Sequence, residues 1–507
     1  MNKILSYLLF ISLSLQQGIA QKNTAKIIDS KTGESIPYAN ILINNSVSLI
    51  SNADGFFSIS DENSQDNSTL EVSYLGYINS RITFAELKRQ QNIIKLQPGI
   101  FELTAVDVSN TKPDANSIMA TVKKNLENNY KNQDQNSKEL LFYRESNSFK
   151  PEKLDMEITE STGFTKNSLK LANAEINAFN SNLVMHPPKE FTDMLCNYFT
   201  STKIDKNKSI LLSKIKVIKS TILKDEYQSG NVEDLEQIAS KLILKHLDST
   251  KYYRVKSGLF GSRDSISLRE DFYKNRKNND KKKRTPSTNS NLKTFMSKNN
   301  FLLNKKLDFV SQPELYEYNY EGAIYSNNNE FTYILTFKPK RNKAKYKGKL
   351  YISETDYAVV RADFTLADGK TVKDFNMKFL LGIKSSENIS KGTLIFNRNP
   401  VGTGYYLRYA SREKGFSFYI NRPLKFIELS KSERDVLALD IKTEGNTLFK
   451  KEVLALESPS GITNDVFSEV VEKDFEPLKL KKYDPTIWKG ISTIEPLEEM
   501  KQFKTTN

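Results

Sequence analysis

The 507-residue chain is poor in the side chains that carry most enzymatic chemistry: it has one cysteine, two histidines and one tryptophan. A lone cysteine, Cys196, forms no intramolecular disulfide. It does not follow a leader cleavage site, so lipid attachment at a first mature cysteine is not expected. Two histidines are too few for a zinc peptidase, which draws several imidazoles and a glutamate into one site at fixed spacing. His186 is followed by Pro187, Pro188, Lys189 and Glu190, which fits no such spacing. His246 ends an expected helix, where an imidazolium suits the dipole. Both read as core or surface residues. No segment after the first twenty residues approaches the roughly twenty consecutive apolar residues of a transmembrane helix.

Other catalytic signatures are missing too. Gly402 and Gly404 begin a glycine pattern, but Leu407 stands where the third glycine would be, between expected strands rather than before a helix. No G-x-S-x-G surrounds any serine, and there is no phosphate-binding loop. Carboxylates are plentiful, but sequence does not show which of them converge. The sequence therefore assigns no catalytic, cofactor-binding or metal-ligating residue, and no cofactor.

What is present begins with a leader. Lys3 precedes an apolar run from Ile4 to Leu15, and the small residues Gly18 and Ala20 follow. This reads as a signal peptide over residues 1–20, cut after Ala20. The formal charge is +14, and loss of Lys3 with the leader lowers it by one. A basic exported protein suits anionic partners: lipid headgroups, acidic polysaccharide or acidic protein faces. The compartment argues against nucleic acid. The remaining length suits two or three domains of about 150 residues each.

Residues 21–110 read as a β-sandwich, because short β-prone runs are separated by Gly, Asp, Asn and Ser. Within it, Asp54-Gly55 ahead of Phe56 and Phe57 is a hairpin signal. One of the two phenylalanines is expected in the core and the other outside. Residues 111–300 read as an α-rich middle. Asp114 caps a helix carrying Ile118, Val122, Leu126 and Tyr130 on one face. A second helix is expected over residues 231–247. A third, "KEFTDMLCNYF", follows Pro187-Pro188 and holds Cys196 as a core residue. The charged stretch 274–293 reads as a disordered loop. Residues 301–455 read as a large curved antiparallel sheet, and residues 456–507 as an irregular C-terminal tail with Trp488 packing back. Alternation puts Tyr316, Tyr318 and Tyr320 on one strand face, with Tyr325 and Tyr333 close by and Tyr405, Tyr406 and Tyr409 further on. These tyrosines suit either an ordinary inner sheet face or an aromatic-lined groove.

The front region resembles the carboxypeptidase-regulatory-like domain, a transthyretin-like β-sandwich. The resemblance rests on "AKIIDSKTGESIPYANILI", on Asp54-Gly55-Phe56-Phe57, on Tyr74-x-Gly76-Tyr77 and on "NIIKLQP". It implies an accessory module without catalytic residues, of a kind frequent in envelope proteins of Gram-negative bacteria. The remainder is similar to uncharacterised envelope proteins with the same front domain, through "LLFYRES", "YYRVKSGLFG", "GKLYISETDYAVVRADF" and "YDPTIW". The implied fold is multidomain and mainly β. The implied function is non-enzymatic: binding or scaffolding in the periplasm or at the outer membrane. Envelope proteins are the expected partners, with an apolar or glycan ligand held in the C-terminal sheet. The alternatives are an exported hydrolase using carboxylates not yet located, or a structural subunit of an envelope assembly.

Overall fold

A computed structural model describes residues 23–99, 113–131, 136–162, 165–205, 208–224, 251–257, 260–267, 284–325, 331–400, 403–429, 434–491 and 493–505. The expected helix over 231–247, His246, residues 274–283 and the leader lie outside this set. The chain forms two compact units. One contains the N-terminal region to residue 100 together with Asp484–Lys501, and the other contains Phe101–Tyr483 and Gln502–Asn507.

The first unit is a two-sheet sandwich. Its strands are β1 (Asn23–Asp29), β2 (Asn40–Ile43), β3 (Val47–Ile50), β4 (Phe56–Ile59), β5 (Thr69–Ser73), β6 (Ser80–Thr83) and β7 (Ile93–Leu96). One sheet runs β4-β1-β7 and the other β3-β2-β5-β6. Alternating residues such as Ile27, Ile41, Phe57, Leu70, Val72 and Leu96 meet between them. Phe57 is buried, and Phe56 lies outside the core beneath the Lys26 ammonium. The Asp54-Gly55 turn is not a hairpin turn. β3 and β4 lie in different sheets, so the turn carries the chain from one to the other. Glycine is still required there. Gly55 has φ +79°, and a Cβ would fall 2.7 Å from the Ile27 carbonyl oxygen.

The second unit is built on one sheet of fifteen strands. They are β8 (Ser137–Ser161), β9 (Lys189–Asp205), β10 (Lys208–Lys224), β11 (Tyr252–Ser257), β12 (Phe260–Ser267), β13 (Tyr316–Tyr325), β14 (Phe331–Pro339), β15 (Tyr346–Ser353), β16 (Val359–Leu366), β17 (Asp374–Met377), β18 (Ile383–Arg398), β19 (Tyr405–Glu428), β20 (Arg434–Ala455), β21 (Ser460–Gly461) and β22 (Leu478–Leu480). The main order is β13-β14-β15-β16-β18-β19-β20-β8-β9-β10-β22, antiparallel throughout except for the parallel β10–β22 pair. The pairing of β20 with β8 carries the sheet across the boundary expected at residue 300.

The helical middle is therefore modest. The helix Ala115–Tyr130 forms as expected: Asp114 accepts from the Asn116 and Ser117 amides, and Ile118, Val122, Leu126 and Tyr130 are buried. The helix expected around Cys196 is instead strand β9. The strand lies between β8 and β10. Thr192, Met194, Cys196 and Tyr198 alternate with Phe191, Asp193 and Leu195, and all of these except Thr192 are buried. A strand buried on both faces hides its period of two behind a continuous run.

The expected loop over 274–293 needs a similar correction, because its second half opens a helix, Arg284–Lys298. Thr285, Asn289, Leu292 and Phe295 form the buried stripe. Two of the four are polar, so hydropathy missed the pattern. Asn289 is nonetheless satisfied: it donates to the Ser213 carbonyl oxygen at 2.8 Å and to Glu472 at 2.9 Å, and accepts from the Ser213 hydroxyl at 2.8 Å.

The two helices and the segment after them cover one sheet face. Phe309 stacks on Phe337 with ring centroids 4.7 Å apart and tilts over Phe364 at 5.0 Å. Tyr316 donates to Asp308 at 2.6 Å, and Tyr318 donates to the Phe309 carbonyl oxygen at 2.7 Å. Tyr316 and Tyr318 thus belong to an inner sheet face filled by aromatic side chains, not an open groove.

Candidate functional site

The pairing of β8 with β9 sets Glu139 opposite Tyr198 and Leu141 opposite Cys196. Side chains alternate across a strand, so Glu139, Leu141, Tyr198 and Cys196 share the helix-covered face. Leu141 and Cys196 sit in the core. Glu139 is one step nearer the end of that core, where the packing opens into a pocket of about 140 Å³. Met296 and Asn300 wall it from the end of the helix Arg284–Lys298 and the segment after it, and Phe396 and Tyr405 wall it from β18 and β19.

Most polar groups around this pocket are already engaged. Asn300 donates to the Tyr130 carbonyl oxygen at 2.9 Å and accepts from the Leu302 amide at 2.9 Å. Tyr405 donates to Asp356 at 3.0 Å. Ser137 and Thr200 share a hydrogen bond of 2.8 Å. Glu139 Oε2 is buried without a hydrogen-bond partner among the described residues, and the buried Tyr198 hydroxyl has only the Ser213 hydroxyl close by. The Ser213 hydroxyl gives its proton to Asn289, so toward the Tyr198 phenol it can act only as an acceptor. An unpaired buried polar group costs about 1–3 kcal/mol, and Glu139 Oε2 and the Tyr198 hydroxyl both belong to residues that line the same pocket.

Burial raises the Glu139 carboxyl to about 7. Burial, and next the Glu139 charge, push the Cys196 thiol up to about 12, so Cys196 is an inert core thiol. The same two causes, in the same order, raise the Tyr198 phenol above its ordinary value.

Two other openings lack this feature. One of about 220 Å³ in the sandwich unit is bordered by Ile43, Leu49, Ile59 and Trp488. Another of about 310 Å³ lies along Tyr143, Met194, Leu292 and Phe475. No orphaned buried side-chain atom among the described residues belongs to either lining.

The opposite sheet face carries a charge network instead. Arg144 grips Asp193 with two hydrogen bonds of 2.7 Å, both residues nearly fully buried. Burial alone would lower the Arg144 pKa, but the Asp193 charge and hydrogen bonds outweigh it and hold the guanidinium charged. Glu452 accepts from Tyr409 at 2.7 Å and pairs with Lys450 at 3.1 Å. Burial opposes the charged Glu452, while Lys450, Arg144 and Tyr409 lower its pKa and keep it ionised. A network satisfied in this way is structural. No group of three or more His, Cys, Asp or Glu side chains able to hold a metal occurs among the described residues.

The sandwich unit has its own signature contacts. Tyr77 donates to Asp29 at 2.7 Å, and the Asp29 carboxylate also accepts from the Lys31 and Thr32 amides. This clamp ties the Tyr74-x-Gly76-Tyr77 segment to the end of β1. A family model, the CarboxypepD_reg-like domain, matches this part of the chain. Residues 24–108 are a CarboxypepD_reg-like domain.

That domain is a small part of the chain, and comparison of the whole gives less. No curated protein matches. Among solved structures, the chain is similar to a DUF1329 family protein from Desulfovibrio piger at 9% identity, covering 65% of this chain and 90% of that one, with a TM-score of 0.16. It is also similar to the MucA/MucB complex of Pseudomonas aeruginosa at 8% identity, covering 69% and 100%, with a TM-score of 0.15. At these TM-scores the likenesses carry no argument.

The sequence reading singled out neither Glu139 nor Tyr198. The available signal was Glu139 entering the apolar run Leu140-Leu141-Phe142, a carboxylate at the start of a buried strand. It did single out Tyr405 and Tyr406, which border the pocket, and Tyr409, which turns to the opposite network.

Proposed function

We propose that this protein is an exported, non-enzymatic envelope protein whose large sheet unit binds a small hydroxyl-rich ligand of the glycan class. The observation that carries the reading is that Glu139, with its orphaned Oε2, and Tyr198, with its buried hydroxyl, both line one pocket. One sugar hydroxyl donates to a carboxyl oxygen while its neighbour accepts from a phenol. Tyr405 and Phe396 supply apolar surface for the faces of a ring. The pocket is far below the roughly 300–1,000 Å³ of drug-sized sites, which favours a single ring or chain end over an acyl chain. The filled aromatic face under Phe309 weighs against the apolar ligand weighed from sequence.

Binding is favoured over hydrolysis because Glu139 is the one carboxylate among the lining residues, whereas glycoside hydrolysis ordinarily uses two. Export rests on the leader-like segment, and an envelope role rests on the accessory domain at residues 24–108.

The test is native mass spectrometry of the protein isolated gently from its own envelope. The expected result is a bound species with sugar mass that is absent from a Tyr198→Phe variant. An acyl-chain mass, or no adduct with either protein, overturns the reading.

A further inference from the structure

The turn between β17 and β18 exposes apolar side chains that the fold does not use. Phe379 is fully exposed, Leu380 is 72% exposed and Phe375 is 50% exposed. All lie within residues 374–386, a four-pair antiparallel hairpin closed by the single helical turn Lys378–Leu381. Exposed apolar residues scattered singly need no explanation, but three large ones on one short hairpin do.

The turn is held in shape rather than loose. Gly382, at φ +65°, donates to the Lys378 carbonyl oxygen at 3.0 Å and accepts from the Asn421 amide at 2.8 Å. A Cβ on Gly382 would run into the Asn421 carbonyl oxygen. The Lys378 ammonium sits 4.0 Å from the Tyr419 ring centre, which braces the base of the turn against β19. The apolar chains are therefore presented outward by a fixed backbone.

Charge identifies the surface that this turn fits. Lys373, Lys378 and Lys384 are exposed around the three apolar residues, and Asp374 is the single exposed acid among residues 373–384. We propose that this turn is a membrane-docking tip, which seats Phe375, Phe379 and Leu380 in the interface of a bilayer with anionic headgroups. Side chains of this type bury about 5–10 Å into the headgroup–acyl boundary, and flanking lysines add attraction to anionic lipid. A tip of this kind needs no transmembrane helix, and among the described residues none is long and apolar enough to be one. The inference is independent of the pocket beside Glu139.

The test is flotation of the full mature chain with vesicles of phosphatidylethanolamine and phosphatidylglycerol, and with vesicles of phosphatidylcholine alone. The wild type floats with the anionic vesicles, and Phe379→Ser/Leu380→Ser reduces the floated fraction at least tenfold with an unchanged melting temperature. A Lys373→Glu/Lys384→Glu variant also loses flotation, and high salt releases the wild type. A wild type that stays unbound, or a Ser variant that floats equally well, overturns the proposal. So does a tip variant that loses a protein partner while vesicle binding is absent throughout.

Discussion

Asn52 holds Glu495 by its backbone: the Asn52 amide nitrogen donates to the Glu495 carbonyl oxygen at 3.2 Å and to that of Pro496 at 3.3 Å. The amide oxygen of the same side chain accepts from the Asp54 and Phe56 amides, both at 2.9 Å. One buried side chain thus shapes the Asp54-Gly55 turn and fastens the segment Asp484–Lys501 to the sandwich. Asn52→Ala leaves four backbone groups without their partner and should destabilise this unit by about 2–4 kcal/mol. Trp488 is the only tryptophan and is buried in the same unit, so its fluorescence during urea unfolding isolates the effect.

Gly55→Val meets two obstacles at once, a positive φ and a backbone oxygen where its Cβ would stand. The expected loss is about 2–4 kcal/mol, read by the same fluorescence, with no change in ligand binding by the other unit.

Arg144→Met leaves the Asp193 carboxylate buried without its partner. Breaking such a pair costs about 3–5 kcal/mol, whereas replacing both members by apolar residues costs far less. Arg144→Met/Asp193→Leu should therefore recover most of the loss in denaturation followed by far-ultraviolet circular dichroism. Equal losses in the single and double variants would show that neighbours such as Glu452 depend on Arg144 directly.

Glu139 gives the sheet unit a pH dependence of defined sign. Its carboxyl stays protonated in the folded state up to about 7, while the unfolded chain ionises near 4.5. Between those values the folded state holds more protons, so its stability falls as pH rises through that window. Glu139→Gln removes this contribution. At pH 8 the variant should be more stable than the wild type by about 1–2 kcal/mol, after allowance for water in the opening, and at pH 4 the two should match. Thermal unfolding at the two pH values measures the difference.

Particular residues show why some of this was legible in the sequence. Asp114 and the four-residue spacing of Ile118, Val122, Leu126 and Tyr130 announced a helix because its cap and stripe are local. Tyr74-x-Gly76-Tyr77 announced the sandwich because it belongs to the sequence pattern of a known domain, whose family model matches residues 24–108. Cys196 misled because β9 is buried on both faces. Asn289 hid a helix because a polar residue lies in its buried stripe and is satisfied by Ser213 and Glu472, far off in sequence. Glu139 and Tyr198 are 59 positions apart, and only the β8–β9 register makes them neighbours.

The claim that most needs testing is that this pair receives a ligand. Saturation-transfer nuclear magnetic resonance with glucose, galactose, mannose and N-acetylglucosamine, run in parallel on wild type, Tyr198→Phe and Glu139→Ala, tests it most directly. The account predicts transfer to at least one sugar in the wild type, with affinity at least tenfold weaker in both variants. Absence of transfer to every sugar in the wild type, or equal transfer in all three proteins, would contradict it.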